Sequence, residues 1–245
     1  MRLETLEIKN FRNLSEVKLS NLSKVNIIIG ENAQGKTNLL QSIYFLATLT
    51  SNRIKTYLDL IKQKENYFCL KAEIKDDNIK KEVEIHFLIS KELRVKVNEN
   101  KINKKRDYIG EIKVVKFASD DIDIIKRSPN DRRKSLNILI SQISKNYLKA
   151  LHEYYHVLSQ KNKLLQQING KNYDKMVLNV WNEQLAGKGE ILIQKRIQVL
   201  DFLKDQIKIN QKKISAGKED INLIYKNSFK IKNNDVLNSF KEKLE

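Results

Sequence analysis

Eight consecutive residues match the pattern G-x-x-x-x-G-K-[ST] of a phosphate-binding loop. They are Gly30, Glu31, Asn32, Ala33, Gln34, Gly35, Lys36 and Thr37. Glycines at both ends let the backbone turn its N–H groups toward phosphate oxygens. In such a loop the lysine reaches the β- and γ-phosphates, and the threonine hydroxyl takes one Mg²⁺ position. The pattern therefore predicts a nucleoside-triphosphate site, with Lys36 on the phosphates and Thr37 on the metal.

The residues on either side of the loop predict the two elements that must hold it. Residues 25–29 are a short, β-branched run that is typical of a buried strand. Residues 38–47 carry apolar side chains at the spacing of a helix face. A helix that begins at the loop adds partial positive charge where the phosphates lie. The apolar face of this predicted helix consists of Leu39, Leu40, Ile43, Leu46 and Ala47.

Length and composition predict a folded protein in a reducing compartment. The chain has 245 residues, 40% of them hydrophobic and 31% charged, which is enough for one large domain or two small ones. The single cysteine, Cys69, excludes an intramolecular disulfide and a cysteine-based metal site, and it is expected to pack in a strand. The sequence shows neither a secretory signal nor an apolar run of membrane-spanning length. We therefore expect a cytoplasmic protein.

The net charge of +17 has two interpretations that the sequence leaves open. One is a polyanionic partner, with nucleic acid as the first candidate. The other is drift toward lysine, asparagine and isoleucine, as an A/T-rich coding sequence produces. Only nine of the 47 basic residues are arginine, which favours drift.

Alternating apolar residues predict a β-rich first half. Residues 2–9 and 15–19 are predicted strands, and a loop with one short helix is expected at residues 50–66. Three further segments with polar turns between them predict an antiparallel meander, and residues 112–117 a last strand. The inward residues of the meander are Leu70, Ala72 and Ile74, then Val83, Ile85, Phe87 and Ile89, then Leu93, Val95 and Val97.

Beyond residue 120 the apolar period becomes helical. Two long stripes around a turn at residues 170–172 predict an antiparallel helical hairpin with a narrow seam. We expect residues 121–212 to form this arm, and residues 213–245 to start a return to the first unit, residues 1–120. The predicted seam consists of Tyr147, Leu151, Tyr154, Leu158, Leu165 and Ile168 on one helix, and of Val177, Trp181, Leu185, Leu192, Val199, Leu203 and Ile207 on the other.

Several ordered motifs resemble the bacterial RecF recombination proteins, a family of ABC-type ATPases that act on DNA. Residues 6–13 (LEIKNFRN) resemble the family's first strand and turn, and residues 30–38 its P-loop with the following asparagine, Asn38. Residues 117–122 resemble its F-x-P-E-D-L segment, with serine and aspartate in place of proline and glutamate. The resemblance continues through residues 128–134 (SPNDRRK), 181–185 (WNEQL) and 214–219 (ISAGKE), and so extends over nearly the whole chain.

The resemblance implies a fold and a function. The expected fold class is α/β: an ABC-type P-loop ATPase head, with a mixed sheet and an antiparallel meander, plus an inserted helical-hairpin arm. The family binds ATP and Mg²⁺, pairs head to head around ATP as a homodimer, and engages double-stranded DNA near single-strand gaps. With RecR and RecO it acts in replication, gap repair and the SOS response. Its members are weak DNA-dependent ATPases.

Two groups of residues are candidates for contacts outside the loop. Arg12 and Asn38 are expected near the nucleotide, although Arg12 could equally pack at a strand edge. Arg132, Arg133 and Lys134 form the basic cluster expected to contact DNA or phosphate, with a solvated helix start as the alternative.

The family's S-x-G-Q signature and its apolar strand ending in aspartate are missing after the predicted arm. Asp120 and Asp121 follow a strand-like segment but fall three residues late, so we do not assign them to the metal. Residues 215–218 (SAGK) echo the signature loop without its glutamine. We therefore expect that the second half of the head is lacking, and that this chain binds ATP without efficient hydrolysis.

Two other functions remain open at this stage. An SMC-like, ATP-gated structural clamp would use the helical hairpin as its working arm. A P-loop kinase acting on a small molecule would replace the hairpin by an acceptor pocket and a lid, and would need carboxylates for phosphoryl transfer.

Overall fold

The computed structural model describes residues 1–51, 54–90, 92–118, 121, 126, 128–168, 175–233 and 235–244. The chain divides into two compact units, Met1–Arg127 and Ser128–Glu245. The first contains a sheet and the P-loop, and the second is helical. Each unit is described by itself. No helix in the described ranges combines the length and the hydropathy needed to cross a membrane.

The first unit is built on a six-stranded sheet in the order β2-β1-β3-β4-β5-β6, in which each described pairing is antiparallel. The meander predicted from alternation is confirmed, except at Ile89, which was predicted to face inward but is exposed because it lies beyond the last residue of its strand, Leu88. A sixth strand was not predicted: it forms because Asn98 and Glu99 both adopt positive φ values, which closes a tight hairpin. The strands are β1 (Arg2–Phe11), β2 (Leu14–Leu19), β3 (Tyr67–Asp76), β4 (Ile79–Leu88), β5 (Arg94–Val97) and β6 (Asn100–Ile102).

One face of this sheet packs on the helix that follows the P-loop. Helix α1 (Lys36–Thr48) contributes Phe45, which lies 5.7 Å from Phe68 of β3 between ring centroids. A 3-10 helix (Tyr57–Leu60) and the short α2 (Lys105–Tyr108) cover the same core, and the buried Tyr108 hydroxyl donates a hydrogen bond to the Leu46 carbonyl. Leu40, predicted on the apolar face of α1, is instead exposed.

Two segments predicted as strands are not strands. Residues 25–29 and 112–117 have no ladder partner in the part of the chain that the structure describes. The apolar side chains of residues 25–29 face solvent, with Ile29 88% exposed. In residues 112–117, Phe117 is 90% exposed, whereas Ile112 is buried in the core and Val114 packs against it. The β-branched pattern gives the propensity for a strand, but a strand also needs a neighbour for its backbone groups. The described sheet is for this reason antiparallel, where a mixed sheet was expected.

The second unit contains the predicted helical hairpin. Helices α4 (Lys145–Ile168) and α5 (Lys175–Ile214) run antiparallel: Tyr147, early in α4, lies beside Arg196, and the later Glu153 pairs with Lys188 at 2.7 Å. The predicted turn at residues 170–172 lies outside the described residues, and the predicted seam positions Leu165 and Val177 are exposed. The helices are α3 (Pro129–Ile143), α4 (Lys145–Ile168), α5 (Lys175–Ile214) and α6 (Val236–Leu244).

The segment after α5 ends the helix and returns to it. Ala216 and Gly217 adopt positive φ values, and the Gly217 N–H donates to the Lys212 carbonyl at 2.8 Å. This is a helix C-terminus of the left-handed type, which explains the S-A-G-K sequence without a signature loop. Helix α6 then packs on α5 at Gly189, where an added Cβ would lie 2.1 Å from the Phe240 ring.

Candidate functional site

The P-loop leads directly into helix α1. Gly35 is the N-cap residue with φ +98°, a conformation that glycine adopts readily, and α1 has no acidic residue in its first turn. Gly35 is also packed against the β1–β2 turn, since a Cβ there would lie 2.6 Å from Leu14 Cδ2 and 2.9 Å from Asn13 Oδ1. The loop thus points a positive helix end at solvent with no carboxylate in that first turn to repel phosphate.

The Lys36 side chain reaches back across the P-loop to its first residues. Its Nζ donates to the carbonyl oxygens of Gly30 at 2.6 Å and of Glu31 at 2.5 Å. Thr37, the predicted Mg²⁺ ligand, is exposed at the start of α1. Lys36 and Thr37 place an ammonium group and a hydroxyl next to each other at the N-terminus of α1. This motif uses those two groups for phosphate and metal.

An asparagine pair connects the loop to the sheet. The Asn38 side-chain amide donates to Asn13 Oδ1 at 2.8 Å, and the Asn13 amide donates to the Ala33 carbonyl at 3.0 Å. Ala33 itself has φ +65°, so this bond supports a loop residue in a strained region. The sequence analysis placed Asn38 near the nucleotide but did not single out Asn13. The sequence signal for Asn13 was its position at the end of the LEIKNFRN segment, which resembles the family's first strand and turn.

Arg12 lies in the same β1–β2 turn, beside the 3-10 helix. Its φ is +57°, and its backbone N–H donates to the Leu60 carbonyl at 2.7 Å. The pKa of Asp59 is lowered, chiefly because the backbone N–H groups of Thr56 and Lys55 donate to its carboxylate, and the charge of Arg12 adds to this effect. The placement of Arg12 near the nucleotide stays a prediction.

Asp121 is engaged within its own turn. It accepts a hydrogen bond from the Ala118 N–H at 2.6 Å and lies 3.9 Å from Lys116. Burial raises the pKa of Tyr44 in α1, and the negative charge of Asp121 raises it further. Asp120 lies outside the described residues. That neither aspartate holds the metal stays a prediction.

The basic cluster lies at the start of α3, in the helical unit. Arg132, Arg133 and Lys134 are exposed, just after an N-terminus at which Ser128 Oγ donates to Asp131 Oδ2 at 2.8 Å. The helix begins at Pro129, so the three cations follow Asp131 and lie at the end of the first turn and in the second. Their exposure leaves all three side chains accessible for an anionic partner.

The loop, its helix and the antiparallel sheet define a P-loop ATPase domain. The chain belongs to the family described as "AAA ATPase domain", whose profile matches residues 1–245. Within it the chain is homologous to RecF. It is 38% identical to the DNA replication and repair protein RecF of Bacillus cytotoxicus and 36% identical to that of Bacillus mycoides, over 99% of this chain. It spans about 64% of the length of these curated relatives.

Solved structures give the same result for the fold. Two structures of the recombination mediator protein RecF, described as RecF-ATP and RecF-ATPrS, superpose with TM-scores of 0.90 and 0.89 at 33% and 35% identity. Each match covers 99% of this chain, and 66% and 65% of those chains. The predicted fold class is confirmed, and so is the resemblance to RecF.

Proposed function

We propose that this chain is the ATP-binding part of a RecF-type recombination mediator, and that it binds ATP·Mg²⁺ and DNA in replication and repair. The observation that carries the proposal is the P-loop at the start of α1, held by Asn13 and packed at Gly35. Homology to RecF over 99% of the chain, including solved RecF-ATP complexes, supports the choice of nucleotide.

Each part of the loop has a defined task in this proposal. The backbone N–H groups around Gly35 and the N-terminus of α1 hold the β- and γ-phosphates. The Lys36 ammonium group leaves the carbonyl oxygens of Gly30 and Glu31 and donates its hydrogen bonds to the phosphate oxygens instead. Phosphate oxygens are the stronger acceptors because they are charged. Thr37 supplies a hydroxyl to Mg²⁺, which neutralises the remaining phosphate charge.

The DNA-binding proposal rests on charge. The net charge is +17, and Arg132, Arg133 and Lys134 are exposed on consecutive positions of α3. Contacts of this type reach phosphates and carry little sequence information, so binding to duplex and gapped DNA is expected to depend strongly on salt. We further propose that the family's partners, RecR with RecO, and its ATP-dependent homodimer apply to the full-length protein.

The exposed apolar segments support the proposal that further strands complete this unit. Ile29 and Phe117 are both exposed and lie in segments with strand-like sequence. The RecF relatives are longer by about a third of their length. In a complete ATPase head these segments would gain neighbours, together with the carboxylate and signature groups that hydrolysis requires.

Of the two other functions, the SMC-like clamp has one structural feature in its favour, the helical hairpin. Its shorter helix, α4, has 24 residues, about 36 Å at 1.5 Å per residue. Such an arm is short for a clamp that must enclose DNA by itself. The homology to RecF favours the mediator over this clamp and over the kinase.

Equilibrium binding of a fluorescent ATP analogue with Mg²⁺ tests the nucleotide site. Lys36→Ala removes a charge-assisted contact and should weaken binding by about 1.5–3 kcal/mol. Lys18→Ala, an exposed lysine on β2, is the matched control and should leave the affinity unchanged. Equal affinities for the wild type and Lys36→Ala would contradict the proposed site.

Turnover in the same samples provides a second readout. We expect phosphate release by residues 1–245 to stay near background, with or without DNA, because DNA supplies neither a metal-holding carboxylate nor a γ-phosphate clamp. DNA-stimulated hydrolysis that disappears in Asp121→Asn would show that the real metal site had been wrongly set aside.

The salt dependence of duplex DNA binding tests the basic cluster. Replacing Arg132, Arg133 and Lys134 by alanine should weaken binding and reduce the log–log salt slope by up to about 2.7, which corresponds to three phosphate contacts. The comparison variant replaces Lys104, Lys105 and Arg106, which removes the same charge from the other unit and has a weaker claim to DNA contact. If both triple variants change the slope equally, only general charge is involved and the cluster at α3 is not an interface.

A further inference from the structure

Three potential metal ligands meet on the outer face of the sheet, opposite the hydrophobic core. Cys69 lies on β3, and Glu84 and His86 lie on β4. Their ligand atoms all lie within 4.8 Å of one another. Strand geometry accounts for this, since Glu84 and His86 are two residues apart on one face and Cys69 is the direct cross-strand partner of His86.

Neighbouring side chains fix the orientation of these ligands. The Tyr67 ring stacks on the His86 ring, with centroids 6.2 Å apart and an interplanar angle of 9°. Glu84 Oε1 lies 3.6 Å from His86 Nε2, while its other oxygen lies 3.5 Å from Lys96 Nζ. One carboxylate oxygen is thus directed at the cluster and the other is held by a cation, an arrangement that supports metal ligands elsewhere.

We propose that Cys69, Glu84 and His86 bind a single Zn²⁺ ion, with the fourth position open to water or an external ligand. Thiolate, imidazole and carboxylate are the three ligand types that zinc takes in proteins. Tetrahedral bonds of about 2.0–2.3 Å separate ligand atoms by about 3.3–3.8 Å. The Glu84–His86 distance already lies in this range, and side-chain rotation has to bring the thiol in by about 1 Å or less.

Cys69 is half-buried on β3. Zinc takes cysteine as the thiolate, so binding at this site releases the thiol proton. The sequence analysis excluded a cysteine-based metal site because it counted a single cysteine. The register of β3 and β4 supplies the nitrogen and oxygen ligands that the count could not show.

The site is reachable from solvent. The His86 side chain is 45% exposed, and an open concavity of about 470 Å³ adjoins it, bounded by Tyr67, Leu88 and Arg94. An ion bound here would link β3 to β4 by side chains as well as backbone. It would also present an open coordination position on the face of the sheet that the P-loop helix does not cover.

Cobalt titration of the full 245-residue chain, reduced and metal-free, tests this site directly. Tetrahedral Co²⁺ with a thiolate ligand gives a sulfur-to-metal charge-transfer band, and Cys69 is the chain's single source of thiolate. We expect one equivalent of Co²⁺ to produce the band and Zn²⁺ to abolish it by displacement. Cys69→Ser should remove the band, and His86→Ala should weaken the binding at least tenfold, since even supporting residues cost about 10–100-fold.

The chain offers its own control for histidine binding. His152 and His156 are exposed one turn apart on α4 and form the obvious competing site, but one without sulfur. The double variant His152→Ala/His156→Ala should keep the charge-transfer band. Cobalt binding without the band, or a band that survives unchanged in His86→Ala and Glu84→Gln, would overturn the proposal. Circular dichroism of each metal-free variant serves as the control for folding, and we expect an intact fold because the substitutions lie outside the core.

Discussion

The meander and the segment before the P-loop have similar sequences but different environments. In β3 and β4, apolar residues such as Phe68 and Ile85 are fully buried, and every strand has a neighbour close in sequence. Residues 25–29 are richer in β-branched residues than these strands, yet Val25, Ile27 and Ile29 are exposed. The two regions belong to the same compact unit. They differ in whether they have pairing partners among the described residues.

This difference shows which segments of the unit have pairing partners among the described residues. A hairpin connection pairs β3 with β4, and the other neighbour of β3 is β1, from the start of the chain. Residues 25–29 have no such partner in the described ranges. The P-loop therefore connects a paired sheet, which α1 covers, to an unpaired segment.

The largest expected effect is a difference between the two regions in how much an alanine substitution lowers the free energy of unfolding. Phe68→Ala should destabilise the protein by about 3–5 kcal/mol, because it empties a site packed between Phe11, Phe45 and Phe87. Ile29→Ala should change the free energy of unfolding by less than about 0.5 kcal/mol, as exposed substitutions do. Urea unfolding followed by circular dichroism measures both. A cost for Ile29→Ala close to that of Phe68→Ala would mean that residues 25–29 are packed in solution, and the comparison would fail.

A smaller effect is expected where the two regions meet. Asn13→Ala should weaken ATP·Mg²⁺ binding by about 0.5–1.5 kcal/mol, because the Ala33 carbonyl and Asn38 both lose a partner and the loop is less well ordered. Its effect on global stability should be smaller than that of Phe68→Ala.

Asn26→Ala is the matched control for this variant, as its side chain exchanges hydrogen bonds with the Ser23 backbone before the loop. Calorimetric titration of both variants measures the difference. If Asn13→Ala binds ATP like the wild type, the bond to Ala33 does not order the loop.

The sequence predicted those features whose signals are local. Period-two alternation identified the meander, apolar stripes identified the α4–α5 hairpin, and the glycine spacing identified the P-loop. It did not predict β6 or the contact from Asn13 to Ala33, because a tight hairpin and a single side-chain bond leave little periodicity. It was wrong for residues 25–29 and 112–117, since a strand pattern records a preference for extended backbone and not the presence of a neighbour.

The contacts of Lys36 give the loop an internal competitor for its ligand. The ammonium that should bind phosphate already has two carbonyl acceptors, those of Gly30 and Glu31. If nucleotide binds as proposed, Lys36 would exchange these acceptors for phosphate oxygens, and its contribution to the binding free energy would be the difference between charged and neutral acceptors. A neutral ligand would gain little from this exchange. The contacts of the empty loop would then favour ligands with a high anionic charge.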